Sequence, residues 1–266
     1  MNIIGERINS SRKKVAEAIE KRDSAFLIKE VKDQEAAGAD MIDLNAGTFI
    51  EGEPELMGWL VEIAQEAVDL PLCIDTPRAE TIERAMKKCD RKIVVNSITA
   101  ETERLNSHLP LLQEHGASVI ALCMDDRGLS DSPEVRCEIG LQLIETLKQA
   151  GVSREDMYID PIVQPIACGP EAVNVCLESI RLIRSEAADI HIICGLRNVS
   201  HGLPKRSLLD EAFLPMAMLR GTDTVILNPL DRRLMALLRA AEALLGRDEH
   251  CLDYLAAFRK GELECQ

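Results

Sequence analysis

The sequence predicts an α/β protein in which eight parallel strands close into a barrel and helices surround it. Three observations support this: eight short apolar runs, a helical pattern in every gap between them, and 266 residues without a linker or repeat break. The runs are continuously apolar, as in parallel strands covered on both faces. Barrels of this class use about 250 residues as one domain. We therefore expect a single (β/α)₈ (TIM) barrel domain over residues 1–266.

Each element has its own local signal. The predicted strands are residues 2–5, 41–45, 72–75, 92–96, 118–124, 158–162, 191–196 and 224–228. Asp23 is a good N-cap for a helix that ends before Gly38, and Pro170 and Pro204 fit the first turns of later helices. A doubly wound sheet is the alternative, but no GxGxxG sequence follows the first strand.

Composition argues against several classes of function. The formal net charge is −14, and no stripe of Lys and Arg stands out, so we expect no nucleic-acid partner. No run of 18 apolar residues predicts a membrane span, and MNIIGERINS is too polar for a signal peptide, which favours the cytoplasm. Nine cysteines without a CxxC pair indicate reduced thiols and no metal site. Cys73, Cys123 and Cys194 lie in apolar runs and should be buried.

Polar residues collect where the predicted strands end, which is where a parallel barrel places its chemistry. In chain order they are Glu6, Arg7, Asn9, Asp43, Asn45, Asp75, Asn96, Ser97, Asp125, Asp126, Asp160, Arg197, Asn198, Ser200, His201 and Asn228. No lysine is among them, which argues against a Schiff-base aldolase, and no His–carboxylate cluster indicates a hydrolytic metal centre. Carboxylates and amides suit the N–H groups of an uncharged heterocycle such as a pterin or purine.

Several of these residues also have a structural interpretation. Asp75 and Asn96 could cap the helices that follow them, and Asn198 could be a turn residue. Asp43 lies within its strand, where a charge is costly unless it is paired. Asp160 precedes Pro161 with no helix nearby, so capping explains it less well.

Six motifs resemble one known family. They are GERIN (5–9), DLN (43–45), CID (73–75), VNS (95–97), YIDP (158–161) and GLRNVSHG (195–202). They look like the pterin-binding methyltransferases, which act on methyltetrahydrofolate and a corrinoid protein and serve the acetyl-CoA pathway or O-demethylation. The folate domain of cobalamin-dependent methionine synthase is similar. The resemblance implies exchange of the N5 methyl group with the cobalt of a separate corrinoid protein, and a homodimer.

The resemblance also implies roles for individual residues. Asp75, Asn96 and Asp160 would hold the pterin ring, and Asn198 would act at N5 as the catalytic residue. Gly195 would let the ring lie against the backbone, Ser200 and His201 would complete that loop, and Asp43 and Asn45 would support the ring from below. Glu6 and Asn9 belong to the wider site. Arg197 and His201 depart from the family pattern, and Arg197, Lys205 and Arg206 could face the anionic glutamate tail of the folate.

Two alternatives remain. Dihydropteroate synthase resembles this chain in its barrel and pterin pocket, but residues 228–231 (NPLD) lack the basic motif of its last strand. A non-catalytic folate-binding barrel is the second alternative, since fold does not fix function. The corrinoid itself is not expected on this chain, because DIHIIC (189–194) has Cys where the DxHxxG motif needs Gly, and His191 is interpreted as a strand opener.

Overall fold

The computed structural model describes residues 1–264, and in them eight parallel strands close into a barrel in sequence order. The strands are β1 (Asn2–Asn9), β2 (Met41–Asn45), β3 (Leu72–Asp75), β4 (Ile93–Thr99), β5 (Ser118–Leu122), β6 (Met157–Asp160), β7 (His191–Gly195) and β8 (Thr224–Leu227). Each strand pairs with the next, and β1 pairs with β8. The predicted (β/α)₈ barrel is confirmed.

Helices fill the gaps between strands and continue after β8. They are α1 (Lys13–Glu20), α2 (Ser24–Ala36), α3 (Glu53–Ala67), α4 (Ala79–Lys88), α5 (Thr102–His115), α6 (Pro133–Gln149), α7 (Ala172–Glu186), α8 (Arg206–Arg220), α9 (Arg232–Leu244) and α10 (Leu252–Arg259). Among the helices of residues 1–264, none is long and apolar enough to cross a membrane.

Local signals placed some helix ends correctly and others not. The Asp23 carboxylate accepts a hydrogen bond from the Phe26 amide at 3.1 Å, so the predicted cap of α2 is confirmed. The prediction for Pro170 and Pro204 is wrong, because α7 and α8 begin two residues after each proline. Lys205, which follows Pro204, has left-handed backbone angles (φ 49°), so Pro204 cannot belong to α8, which begins at Arg206.

Two strands are longer than predicted, and both carry a register shift. The pairing of β1 with β2 shifts between Gly5 and Ile8, and that of β4 with β5 shifts between Asn96 and Ile98. A bulge lets a strand absorb an extra residue and continue. Glu6 therefore lies inside β1 rather than just beyond it, and β4 continues to Thr99, past Asn96, where the predicted strand ended.

An apolar layer fills the inside of the barrel. It consists of Ile4, Met41, Cys73, Val94, Ile120, Tyr158 and Ile193, with the partly buried Leu122 and Ile226 against it. Cys123 and Cys194, like Cys73, are fully buried, as predicted. His191 opens β7 and its ring stacks on Tyr158 at 4.7 Å between centroids, which confirms a structural role.

The residues two positions beyond the apolar layer form what we term the mouth ring. Side chains alternate along a strand, so these residues share the inner face and lie closer to the C-terminal mouth. The mouth ring comprises Glu6, Asp43, Asp75, Asn96, Leu122, Asp160, Gly195 and Asn228. All its members except Leu122 are residues that the sequence singled out, and they meet at one level of the barrel because each strand or strand end contributes one.

Candidate active site

Two amide–carboxylate pairs connect β2 with β3 and with β4 at the mouth ring. The Asn45 side-chain amide donates to Asp75 Oδ2 at 2.8 Å, and the Asn96 amide donates to Asp43 Oδ1 at 3.1 Å. Neither Asp75 nor Asn96 caps a helix, since α4 begins after Arg78 and α5 after Glu101. Each amide nitrogen is committed to a carboxylate, so the orientation of both amides is fixed. Asp43, at 2% exposure, has the partner that a charge within a strand requires.

Burial is the largest influence on the pKa values of Asp43 and Asp75. It raises the pKa of Asp43 well above the usual range, and the nearby Asp75 carboxylate adds to the effect. Burial also raises the pKa of Asp75, against the opposing hydrogen bond from Asn45. Carboxyl groups that hold their protons more tightly than usual are common at functional sites. They can accept hydrogen bonds from a ligand when ionised and donate one when protonated.

Asp160 lies at the end of β6 and is held by the loop that follows. Its Oδ1 accepts from the Ile162 amide at 2.7 Å, and the residue is 7% exposed. Burial raises the pKa of Asp160 to about 7, against that hydrogen bond and the charge of Arg136. One carboxylate oxygen remains for a ligand at the mouth ring.

Arg136 of α6 fixes the loop after Asp160. The side chain is fully buried and donates to the carbonyl oxygens of Pro161 at 2.9 Å and Ile162 at 2.8 Å. It also donates to Gln164 Oε1 at 2.6 Å. Ile162 has a positive φ of 67°, which is unfavourable for a β-branched residue. The hydrogen bonds from Arg136 stabilise the loop in this conformation.

The loop after β7 presents Asn198 and His201 at the mouth and hides Ser200. A Cβ atom at Gly195 would lie 3.0 Å from Asn198 Nδ2, so the absence of a side chain at position 195 leaves room for the Asn198 amide. Asn198 and His201 are exposed, and the His201 amide donates to the Asn198 carbonyl at 3.1 Å. Ser200 is fully buried; its hydroxyl accepts from Arg206 Nε at 3.0 Å and donates to the Arg197 carbonyl at 3.3 Å. Ser200 therefore shapes the loop from below.

A small cavity opens between the loops of β1 and β7. It has a volume of about 160 Å³ and is lined by Glu6, Asn9, Ser11, Arg12, Arg197 and Arg206. Burial raises the pKa of Glu6, and the Arg197 charge opposes this. Asn9 Oδ1 accepts from the Ser11 amide at 3.0 Å and from its hydroxyl at 2.6 Å, so Asn9 shapes the edge of the cavity.

The sequence matches the family described as pterin binding enzymes over residues 5–228. The chain belongs to this family. A methylcorrinoid:tetrahydrofolate methyltransferase of Eubacterium limosum is 35% identical over 99% of this chain and 98% of that protein. Methionine synthases of Mycobacterium tuberculosis and Mycobacterium leprae are each 27% identical over 85% of this chain. The match covers 20% of each synthase, so this chain corresponds to about a fifth of their length.

Solved structures of the same fold include two of dihydropteroate synthase from Xanthomonas albilineans. They superpose with TM-scores of 0.68 and 0.66 over 93% of this chain and 93% of that protein. Identity is 16% in both, so this likeness concerns the fold alone.

Two residues of the site were missed by sequence reasoning. Arg136 lies on the inward face of α6 with Ile139, Gly140 and Leu143, at the spacing of a buried helical stripe. A lone arginine in such a stripe is a signal for a buried, hydrogen-bonded charge. Arg12 carried no comparable signal, because only the fold brings its loop beside the loop of β7. Within residues 1–264, no group of three or more His, Cys, Asp or Glu is arranged to hold a metal ion.

Proposed function

We propose that this chain, acting as one barrel domain, transfers the N5 methyl group between methyltetrahydrofolate and the cobalt of a corrinoid on a separate protein. The observation that carries the proposal is the 35% identity, along nearly the whole of both chains, to a methylcorrinoid:tetrahydrofolate methyltransferase. The mouth ring provides the chemistry that a pterin requires. A folate is thus the substrate, and the corrinoid comes with the partner protein.

In this proposal three side chains hold the pterin by its amino edge. Asp75 and Asp160 accept from the exocyclic amino group and ring N–H, and ionised acceptors form the stronger hydrogen bonds. Asn96 has its nitrogen committed to Asp43, so its oxygen is left as the acceptor. Asp43 and Asn45 are positioning residues, since each acts through its partner.

Asn198 is the residue we assign to the reacting nitrogen. N5 must carry a proton or accept a strong hydrogen bond when the N5–methyl bond breaks, because an amide anion is too poor a leaving group. The side chain of Asn198 cannot supply that proton, but its oxygen can accept from N5–H⁺. A preorganised contact to charge that exists mainly in the transition state lowers the barrier. The proton comes from solvent, and the methyl cation equivalent passes to cobalt(I), which provides the electron pair.

A methyl-transfer assay tests the proposal. Purified protein is mixed with methyltetrahydrofolate and cob(I)alamin under reducing conditions, and the cobalt spectrum is followed. We expect cob(I)alamin to convert to methylcobalamin at a rate proportional to enzyme concentration. Tight folate binding without any methyl loss would instead identify a non-catalytic folate-binding barrel.

Three finer statements are part of the proposal. The partner is a corrinoid protein of the kind that serves O-demethylation, the location is the cytoplasm, and the active form is a homodimer. Exposed apolar side chains on three adjoining helices support the dimer: α9 contacts both α8 and α10, and Leu219, Leu244 and Phe258 on these helices are 69%, 87% and 67% exposed. Apolar patches of this kind are typical of interfaces. Sedimentation equilibrium measures the mass directly, and a monomer would contradict the dimer.

A further inference from the structure

The cavity between the loops of β1 and β7 brings together three guanidinium groups. Arg12, Arg197 and Arg206 line it together with one carboxylate, Glu6. The formal net charge of the whole chain is −14, so a concentration of positive charge at the barrel mouth contrasts with the rest of the molecule. A cluster of positively charged side chains of this kind attracts anions.

The three arginines keep hydrogen-bond donors free. The Arg197 guanidinium lies 3.7 Å from a carboxylate oxygen of Glu6 and of Asp210, which is too far for hydrogen bonds. Across residues 1–264, no carboxylate lies within ion-pair distance of Arg12 or Arg206. The one hydrogen bond that the Arg12 side chain donates there goes to the Arg7 carbonyl at 3.2 Å. Arg206 uses one edge on Ser200 and the Arg197 carbonyl.

The arrangement of the mouth ring points the far end of a bound pterin toward this cavity. The residues assigned to the amino edge, Asp75, Asn96 and Asp160, lie on β3, β4 and β6. The opposite end of a pterin bears N5 and the C6 substituent, and Asn198, assigned to N5, follows β7. The C6 substituent then leaves over β8 toward β1, where Arg12 and Arg197 line the cavity together with Glu6.

We propose that Arg12, Arg197 and Arg206 form a carboxylate subsite for the glutamyl tail of the folate, so that the protein prefers glutamylated pterins. This inference rests on the proposed function. It also refines the expectation for the tail, because Arg12 and not Lys205 lines the cavity. Each added glutamate brings a further carboxylate, and planar guanidinium groups match carboxylates better than ammonium groups do.

Binding of three probes by calorimetry tests the inference. Tetrahydrofolate and its triglutamate carry the tail, and 6-methyltetrahydropterin does not. We expect Arg12→Gln and Arg197→Gln to weaken binding of tetrahydrofolate by about 5- to 20-fold, and of the triglutamate by at least as much. Binding of 6-methyltetrahydropterin should change less than twofold. Arg127→Gln is the matched control, since it removes one positive charge after β5, on the other side of the mouth.

The outcomes separate the inference from the proposed function. If the wild-type protein binds none of the probes, both fail. If both variants bind tetrahydrofolate as tightly as the wild type, or if they lose affinity for 6-methyltetrahydropterin equally, the tail subsite is refuted while the pterin site stands. Arg206→Gln is a third variant, but it also removes support from Ser200. The test of the tail subsite therefore rests on Arg12→Gln and Arg197→Gln.

Discussion

Asp160→Asn should stabilise the protein while it damages the site. Asp160 is buried at the mouth ring, and its pKa in the folded chain is about 7, against about 3.9 for an aspartate in an unfolded chain. Between these values the folded protein holds a proton that the unfolded chain has released, so stability falls as pH rises through this window. Asn is neutral at every pH, and its side-chain oxygen can still accept from the Ile162 amide.

The pKa difference sets the size of the effect. It is about 3 units, and each unit corresponds to about 1.4 kcal/mol, so ionised Asp160 costs the folded state about 4 kcal/mol above pH 7. At pH 5.5 the cost is about 2 kcal/mol, because only part of the window has been crossed. The advantage of Asp160→Asn over the wild type should therefore grow by about 2 kcal/mol between pH 5.5 and pH 8.5.

Urea unfolding followed by circular dichroism at both pH values measures this difference. Asp125→Asn is the control: Asp125 pairs with Arg127, which lowers the pKa of Asp125, so its effect should not vary over this range. Parallel stability profiles for the wild type and Asp160→Asn would refute the reasoning, since Asp160 would then be ionised throughout.

Three further predictions concern the same site. Asn198→Ala should lower the methyl-transfer rate by about 10²-fold while folate affinity falls less. Stopped-flow spectroscopy measures the rate and calorimetry measures the affinity. A wild-type rate in this variant would exclude the assigned role of Asn198. Folate affinity of the wild type should fall about 30-fold from pH 8.5 to pH 5.5 as Asp160 takes up its proton, whereas Asp160→Asn should lack this component; identical pH profiles for the two would contradict it. Arg136→Leu should lower the free energy of unfolding by about 3 kcal/mol or more, because two buried carbonyl oxygens lose their hydrogen-bond donor. Urea unfolding measures this change. A loss below about 1 kcal/mol would show that these carbonyls find other donors.

Much of the fold could be predicted because continuous apolar runs mark buried parallel strands. The bounds of β2 and β3 were predicted residue for residue, since each apolar run ends at the polar residue that is also the last of its strand. The lengths of β1 and β4 could not be predicted, because the polar residues Glu6 and Ser97 continue those strands through register shifts. A register shift depends on the partner strand, which a single segment does not specify.

The site was predictable to the extent that it follows strand alternation. Asp43, Asp75, Asn96 and Asp160 were identified because each interrupts or ends an apolar run. The connections between them could not be read from the sequence, since Asn96 reaches Asp43 across strands that are not sequence neighbours. The same limit applies to Arg12, whose loop meets the loop of β7 only when the barrel closes.

The apolar layer inside the barrel has a second consequence, for the depth of the site. Its upper surface is the floor on which a ligand held by the mouth ring would rest. Cys73 is smaller than Met41, Val94 and the other members of this layer, and it lies directly beneath the pair Asp43 and Asp75. A larger residue at position 73 would raise the floor beneath Asp43 and Asp75. The size of the residue at position 73 would thus set how deep a flat ligand can lie on that side of the barrel.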